Sequence, residues 1–239
     1  RLRVLINQFA AAERAHGNLA RYFPAALADQ LADRDEPVRV GARRECVILF
    51  ADIIGFSGYA EKRDPQDVMR LLNQFHQIMT TQIGAYGGIV EKYIGDAVMA
   101  SFGAFDDMNC PAANALSAAQ SMVSHVRDWQ NGDLADSTTP LQIGIGLNFG
   151  PAVVGDIGEG EAVTPAVIGA SVNLAARLER ATRTLDTDII ISDSFADKLR
   201  SEAPSATSIL MRSFTKQDAI HVKGFSQAIP VHFQHETLN

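Results

Sequence analysis

The chain has 239 residues, 46% of them hydrophobic, enough for one large domain or one domain with an attached segment around a substantial core. A formal net charge of −7 and an isoelectric point near 5.3 argue against broad nucleic-acid binding, which leaves a basic footprint, so any phosphate site must be locally basic. Cys46 and Cys110 are the only cysteines, there is no zinc-type spacing, leader or membrane-length apolar run, and the first residue is Arg1; the expectation is a reduced, cytoplasmic fragment of a longer protein.

Leu2, Phe9, His16 and Phe23 recur at heptad spacing, with Leu5, Ala12, Leu19 and Ala26 at the second heptad position. Such a helix either seeks a partner or packs on its own domain, and the periodicity leaves both open. Pro24 interrupts it, a second short helix can follow through Leu31, and the polar run from Asp33 to Pro37 marks a boundary. Residues 1–40 are thus expected to be a helical segment and residues 41–239 a domain of their own.

Beyond Gly41 strands and helices alternate. Val47 to Ala51 is a continuous apolar run, as in a central strand buried on both faces. A helix is expected from Pro65, with Val68, Leu71, Leu72, Phe75, Ile78 and Met79 as its apolar stripe, ended by the Gly87-Gly88 turn. Ile89 to Ile94 and Ala97 to Phe102 flank Gly95-Asp96 and predict a hairpin with a carboxylate at its tip.

A second helix carries Ala115, Leu116, Ala119, Met122, Val123 and Val126, and the polar residues 130–140 form a loop. Leu141, Ile143, Ile145 and Leu147 then alternate as a strand. The order β-α-β-β-α-β predicts an α+β fold with a ferredoxin-like core, its two helices on one face. The remainder is expected to add strands at Ala152 to Gly155, Asp188 to Ile191, Ser208 to Met211 and Pro230 to Phe233, and a helix over Val172 to Arg183. Gly144 and Gly146 lack the dinucleotide-binding spacing and suit close packing instead. The histidines are scattered, and His232 and His235 are expected to face solvent.

Asp52 ends the apolar run Phe50-Ala51, and Asp96 ends Lys92-Tyr93-Ile94-Gly95. Antiparallel pairing of the first strand with the hairpin would bring the two carboxylates together, where they can hold divalent metal against phosphate oxygens. Two ordinary turn aspartates are the plainer alternative, since Gly-Asp is common at hairpin tips.

The context decides between them. Phe50-Ala51-Asp52-Ile53-Ile54-Gly55-Phe56-Ser57 resembles the metal-binding segment of the class III nucleotidyl cyclases, as do Lys92 to Ala100, Val172 to Glu179 and His221-Val222-Lys223-Gly224. The resemblance covers residues 43–234 in four ordered motifs. It implies an enzyme that binds two Mg²⁺ or Mn²⁺ ions per site through Asp52, Asp96 and the backbone carbonyl of Ile53. It also implies an adenylyl cyclase, in which the ribose 3′-hydroxyl of ATP attacks the α-phosphorus and pyrophosphate leaves.

By the same resemblance Asn173 orients the ribose, Arg177 stabilises the pentavalent phosphate, Lys223 reaches the terminal phosphates, and Phe56 lies on the substrate side. Lys92 is the base-reading position, where an ammonium suits adenine N1. The second base-reading position aligns with Ala166, which accepts no hydrogen bond, leaving Thr164 or a backbone carbonyl as a substitute. The family pattern further implies a head-to-tail homodimer with intersubunit sites, residues 1–40 as a transducer or dimerisation segment, and an upstream sensor or membrane domain. The alternatives are a catalytically silent nucleotide-binding or dimerisation module and a cyclase with relaxed choice between ATP and GTP.

Overall fold

The computed structural model describes residues 41–131, 141–159, 162–220 and 228–234; the expected N-terminal helix, most of the 130–140 loop, Lys223 and His235 lie outside them. Strand β1 (Ala42–Ile54) leads into a short helix α1 (Phe56–Ala60) and the long helix α2 (Pro65–Ala85). The hairpin β2 (Ile89–Ile94) and β3 (Ala97–Phe102) is followed by α3 (Pro111–Asn131) and β4 (Gln142–Glu159). These elements realise the expected βαββαβ order, with β1 central and antiparallel to both β3 and β4.

The local chemistry explains these boundaries. Pro65 starts α2 where its missing N–H costs nothing, and the Asp64 side chain caps the helix by accepting from the Gln66 amide at 2.8 Å. Leu71, Phe75, Met79 and Ile83 form its buried stripe, and Gly87 at φ +75° lets the chain turn back into β2.

Alternate residues of β1 serve two cores. Val47, Leu49, Ala51 and Ile53 pack with α2 and α3, while Cys46, Ile48 and Phe50 face a smaller cluster on the other side of the sheet. That second face is covered by α4 (Ala170–Leu185), which follows β5 (Ala162–Ile168).

The remaining elements are β6 (Ile189–Ser192), α5 (Asp193–Glu202), α6 (Pro204–Leu210), β7 (Phe214–Ile220) and β8 (Ile229–Gln234). Among the described residues the sheet runs β2-β3-β1-β4-β6-β8-β7, with β5 paired to β4 off this path.

Three expectations change. Ala152 to Gly155 is no separate strand: β4 continues through it, extending an arm against which β5 pairs. Ser208 to Met211 is not a strand either, because Pro204 initiates the short helix α6 through Leu210 and the chain then turns. His232 is 4% exposed and bonds to Asp193 at 2.9 Å, because β8 is an interior strand between β6 and β7.

Candidate active site

Asp52 sits near the end of β1, directly across from Gly144 of β4. Just beyond it Gly55 takes a left-handed conformation at φ +79°, which turns the chain into α1 and away from the sheet. The β1–β3 register pairs Ala51 with Val98, so one further residue brings Asp52 beside the Gly95-Asp96 tip of the β2–β3 hairpin. Gly95 at φ +64° supplies the positive dihedral that the tight turn needs.

The hairpin is also fastened from above. His76 of α2 lies with its ring centroid 4.3 Å from that of Tyr93 on β2. The Tyr93 hydroxyl pairs with Thr80 Oγ1, a second tie between β2 and α2. Both ties hold the segment that carries Asp96.

The two carboxylates strain each other electrostatically. Asp96 is pushed up to about 7, first by burial and then by the neighbouring Asp52 carboxylate, while Arg183 pulls the other way. Asp52 accepts from Arg183 Nη2 at 2.8 Å through Oδ2, but its Oδ1 is buried with no hydrogen-bond partner. A buried, unpartnered carboxylate oxygen in a site shared with a second carboxylate fits a hard divalent cation. Among the described residues no cluster of three or more His, Cys, Asp or Glu side chains is placed to hold a metal, so water and substrate oxygens would complete the shell.

Sequence patterning alone does not single out the guanidinium that meets Asp52. Arg183 also donates to Glu179 Oε1 at 2.5 Å, and Glu179 and Arg183 stand one turn apart on α4. Burial raises the Glu179 pKa against the opposing pull of Arg183. Legible traces did exist: the i,i+4 Glu179/Arg183 spacing and the bare glycines of β4. Only the packing of α4 on β4 joins them to Asp52. Arg183 further lines a cavity of about 440 Å³ with Ile54, Arg127, Gln142, Thr182 and Asp188, which neither Asp52 nor Asp96 lines.

The other expected residues are distributed differently. Asn173, exposed, and Arg177, half-buried, lie on the arc of α4 opposite its buried set of Ser171, Ala175, Leu178, Glu179 and Thr182, on the side away from the sheet that holds Asp52. Lys92 is exposed on β2, after a register irregularity between Val90 and Lys92. Ala166 is 5% exposed on β5 across from Gly155, and Thr164 pairs with Ile157 on the same arm. Ile53 buries its side chain in the main core, and Phe56 packs half-buried against that core.

The β4–β5 arm has an unusual surface. Val153, Ile157 and Ile168 are 39%, 53% and 48% exposed, and the pairing of Val153 with Ile168 and Gly155 with Ala166 puts all three on the face that carries Ala166. Tyr93 and Ile94 add exposed apolar surface near the hairpin tip.

Comparison with known proteins gives this arrangement a context. The family described as adenylate and guanylate cyclase catalytic domain matches residues 38–235. An adenylate cyclase of Anabaena cylindrica is 31% identical over 201 residues, which are 82% of this chain and 38% of the relative. The chain therefore spans under two-fifths of that relative's length.

Among solved structures, a bacterial light-regulated adenylyl cyclase aligns with TM-score 0.79 at 27% identity, over 98% of this chain and 64% of the other. The adenylyl cyclase CyaB from P. aeruginosa aligns with TM-score 0.67 at 28% identity, over 82% and 96%. The guanylyl cyclase Cya2 is similar to the same degree, with TM-score 0.69 at 26% identity over 83% and 97%.

Proposed function

As a chain that belongs to the adenylate and guanylate cyclase catalytic domain family, this protein is, we propose, an adenylyl cyclase that converts ATP to 3′,5′-cyclic AMP and pyrophosphate as a homodimer. The convergence of Asp52 and Asp96 at one end of the sheet carries the proposal. When bound there by Asp52, Asp96 and the Ile53 carbonyl, two Mg²⁺ or Mn²⁺ ions would acidify the ribose 3′-hydroxyl and offset the triphosphate charge.

The protein's own task is alignment. The 3′-oxygen must stand in line with the bond between the α-phosphorus and the pyrophosphate oxygen; the new P–O bond forms as that bond breaks, and the hydroxyl proton leaves to solvent. Asn173 would orient the ribose, Arg177 would neutralise charge at the α-phosphate and Lys223 would hold the terminal phosphates. In the proposed dimer these three come from the copy opposite Asp52, because Asn173 and Arg177 face away from the carboxylates of their own chain. The exposed apolar face of the β4–β5 arm and the apolar residues beside the hairpin tip supply surface for that association.

Adenine selection would rest on Lys92. The relatives include both adenylyl and guanylyl cyclases, and Ala166 supplies only a methyl group at the second base-reading position, which favours a modest preference for ATP over GTP. Among the described residues no helix is long and apolar enough to cross a membrane. The proposed setting is a cytoplasmic catalytic domain that residues 1–40 couple to an upstream sensor.

Purified protein supplied with ATP or GTP and Mn²⁺ tests the assignment directly. Cyclic AMP should be the main product by chromatography. Cyclic GMP as the main product would reverse the base assignment, and ATP binding by calorimetry without any cyclic product would make the domain a silent nucleotide-binding module.

A further inference from the structure

We infer that Arg183, braced by Glu179, is a positioning residue for divalent cations: it occupies one oxygen of Asp52 and leaves the other free for the ions. The inference rests on the metal-binding role proposed above for Asp52 and Asp96.

The geometry is specific. One guanidinium spans two carboxylates, with Nη2 at 2.8 Å from Asp52 Oδ2 and Nη1 at 2.5 Å from Glu179 Oε1. Glu179 is only 5% exposed, so the brace is itself fixed by packing. The remaining oxygen of Asp52 is the buried, unpartnered Oδ1. A planar fork can hold both carboxylates at once, which a lysine ammonium reproduces poorly.

The fold makes room for this arrangement at two bare positions. A Cβ on Gly144, directly across from Asp52, would stand 2.3 Å from Thr182 Oγ1 and 3.1 Å from Glu179 Oε1. A Cβ on Gly146 would stand 2.2 Å from the Glu179 backbone nitrogen. The glycines of β4 therefore admit α4 to the depth at which Arg183 meets Asp52.

A chemical consequence follows from the occupied oxygen. A carboxylate with both oxygens free can clasp a large, flexible ion such as Ca²⁺ bidentately, whereas one oxygen suits the smaller octahedral Mg²⁺. Arg183 thereby sets ion selectivity, as groups that orient a ligand commonly do.

Mn²⁺ binding to the full chain, read by electron paramagnetic resonance of free Mn²⁺ with Mg²⁺ and Ca²⁺ as competitors, tests this. Arg183→Lys keeps the charge but loses the fork; it should weaken Mn²⁺ and Mg²⁺ binding about tenfold while Ca²⁺ loses less. If Arg183 acted only as a local positive charge, Arg183→Lys would match the wild type and Arg183→Gln would bind all three ions more tightly; either result overturns the inference.

Glu179→Gln, which keeps the guanidinium and loosens its brace, decides the matter should Arg183→Lys fail to fold. Mg²⁺ must weaken more than Ca²⁺, and an equal loss for both ions counts against positioning. Asp52→Asn separates the two levels. If it binds Mn²⁺ as the wild type does, the metal role of Asp52 itself is wrong, whereas loss there together with an unchanged Arg183→Lys refutes the Arg183 role alone.

Discussion

The carboxylate end of the sheet and the outward face of α4 lie in one domain but are built in opposite ways. Asp52 and Asp96 are knit into their surroundings by Arg183, by the β1–β3 register and by the contacts of Tyr93 with His76 and Thr80 of α2. Asn173 and the half-buried Arg177 stand on the side of α4 away from its packing stripe, and Lys92 is exposed. A metal site gains from rigid, desolvated ligands, because preorganised oxygens lose little freedom on binding a small ion. A nucleotide site between two copies has to present its groups outwards. On the proposed reading, one chain would hold the metal half of a site in finished form and would show the nucleotide half to a partner.

The sharpest way to break the comparison is to remove the finished half. Asp52→Asn or Asp96→Asn should lower cyclic product formation by about three orders of magnitude, on the order of 4 kcal/mol of barrier, with the fold retained by circular dichroism. Turnover near wild type in either variant would remove the carboxylates from the chemistry.

Next comes a mixing experiment that asks whether the halves belong to different chains. Asp52→Asn and Arg177→Ala should each be inactive alone, but an equimolar mixture should recover roughly a quarter of wild-type turnover, since half the dimers are mixed and each has one intact site. A mixture as dead as its components would place the whole site within one chain.

Base choice sharpens the picture further. Lys92→Glu should cost ATP turnover about tenfold or more and narrow its margin over GTP, measured as kcat/KM for each nucleotide. Ala166→Asp should work in the opposite direction, widening the ATP preference by about tenfold, because a carboxylate can accept from the adenine amino group. No change in the ratio for either variant would detach base reading from this surface.

The smallest effect concerns a second carboxylate of the same hairpin. Glu91 is also pushed up to about 7, by burial, against the Ser101 hydrogen bond and the Lys92 charge, and its Oε2 is buried without a partner. Because its folded pKa lies above the unfolded one, the folded state holds the proton more tightly. Its contribution to stability is complete below about pH 4.5 and is lost as pH rises towards 7. Glu91→Gln should therefore gain a few degrees in melting midpoint over the wild type at pH 8 relative to pH 5. An unchanged difference between the two pH values would show that Glu91 carries no such shift.

Glu91 and Asp96 illustrate why the site was only partly legible. Both are hairpin carboxylates, and sequence singled out Asp96 through its Gly-Asp turn and its resemblance to a known motif. The alternating apolar strand residues and the proline-initiated helix gave the βαββαβ order, because those signals are local. The long β4 was missed because Gly150-Pro151 reads as a break, although the chain stays extended there and pairs with β1 through Cys46 and Glu45. The strand expected around Ser208 failed because the helix-starting effect of Pro204 outweighed a short apolar run.

Residue identity and spacing by themselves determined the order of the βαββαβ core, the family, and the two aspartates as a pair. Tertiary structure alone decided that Arg183 fills one oxygen of Asp52, that Gly144 and Gly146 admit α4 to that depth, and that Asn173 and Arg177 face away from the carboxylates of their own chain. The physical reason is range. Periodicity and turn chemistry act over a few neighbouring residues, whereas a guanidinium meets a carboxylate 131 positions away only after sheet register and helix packing have fixed where both stand.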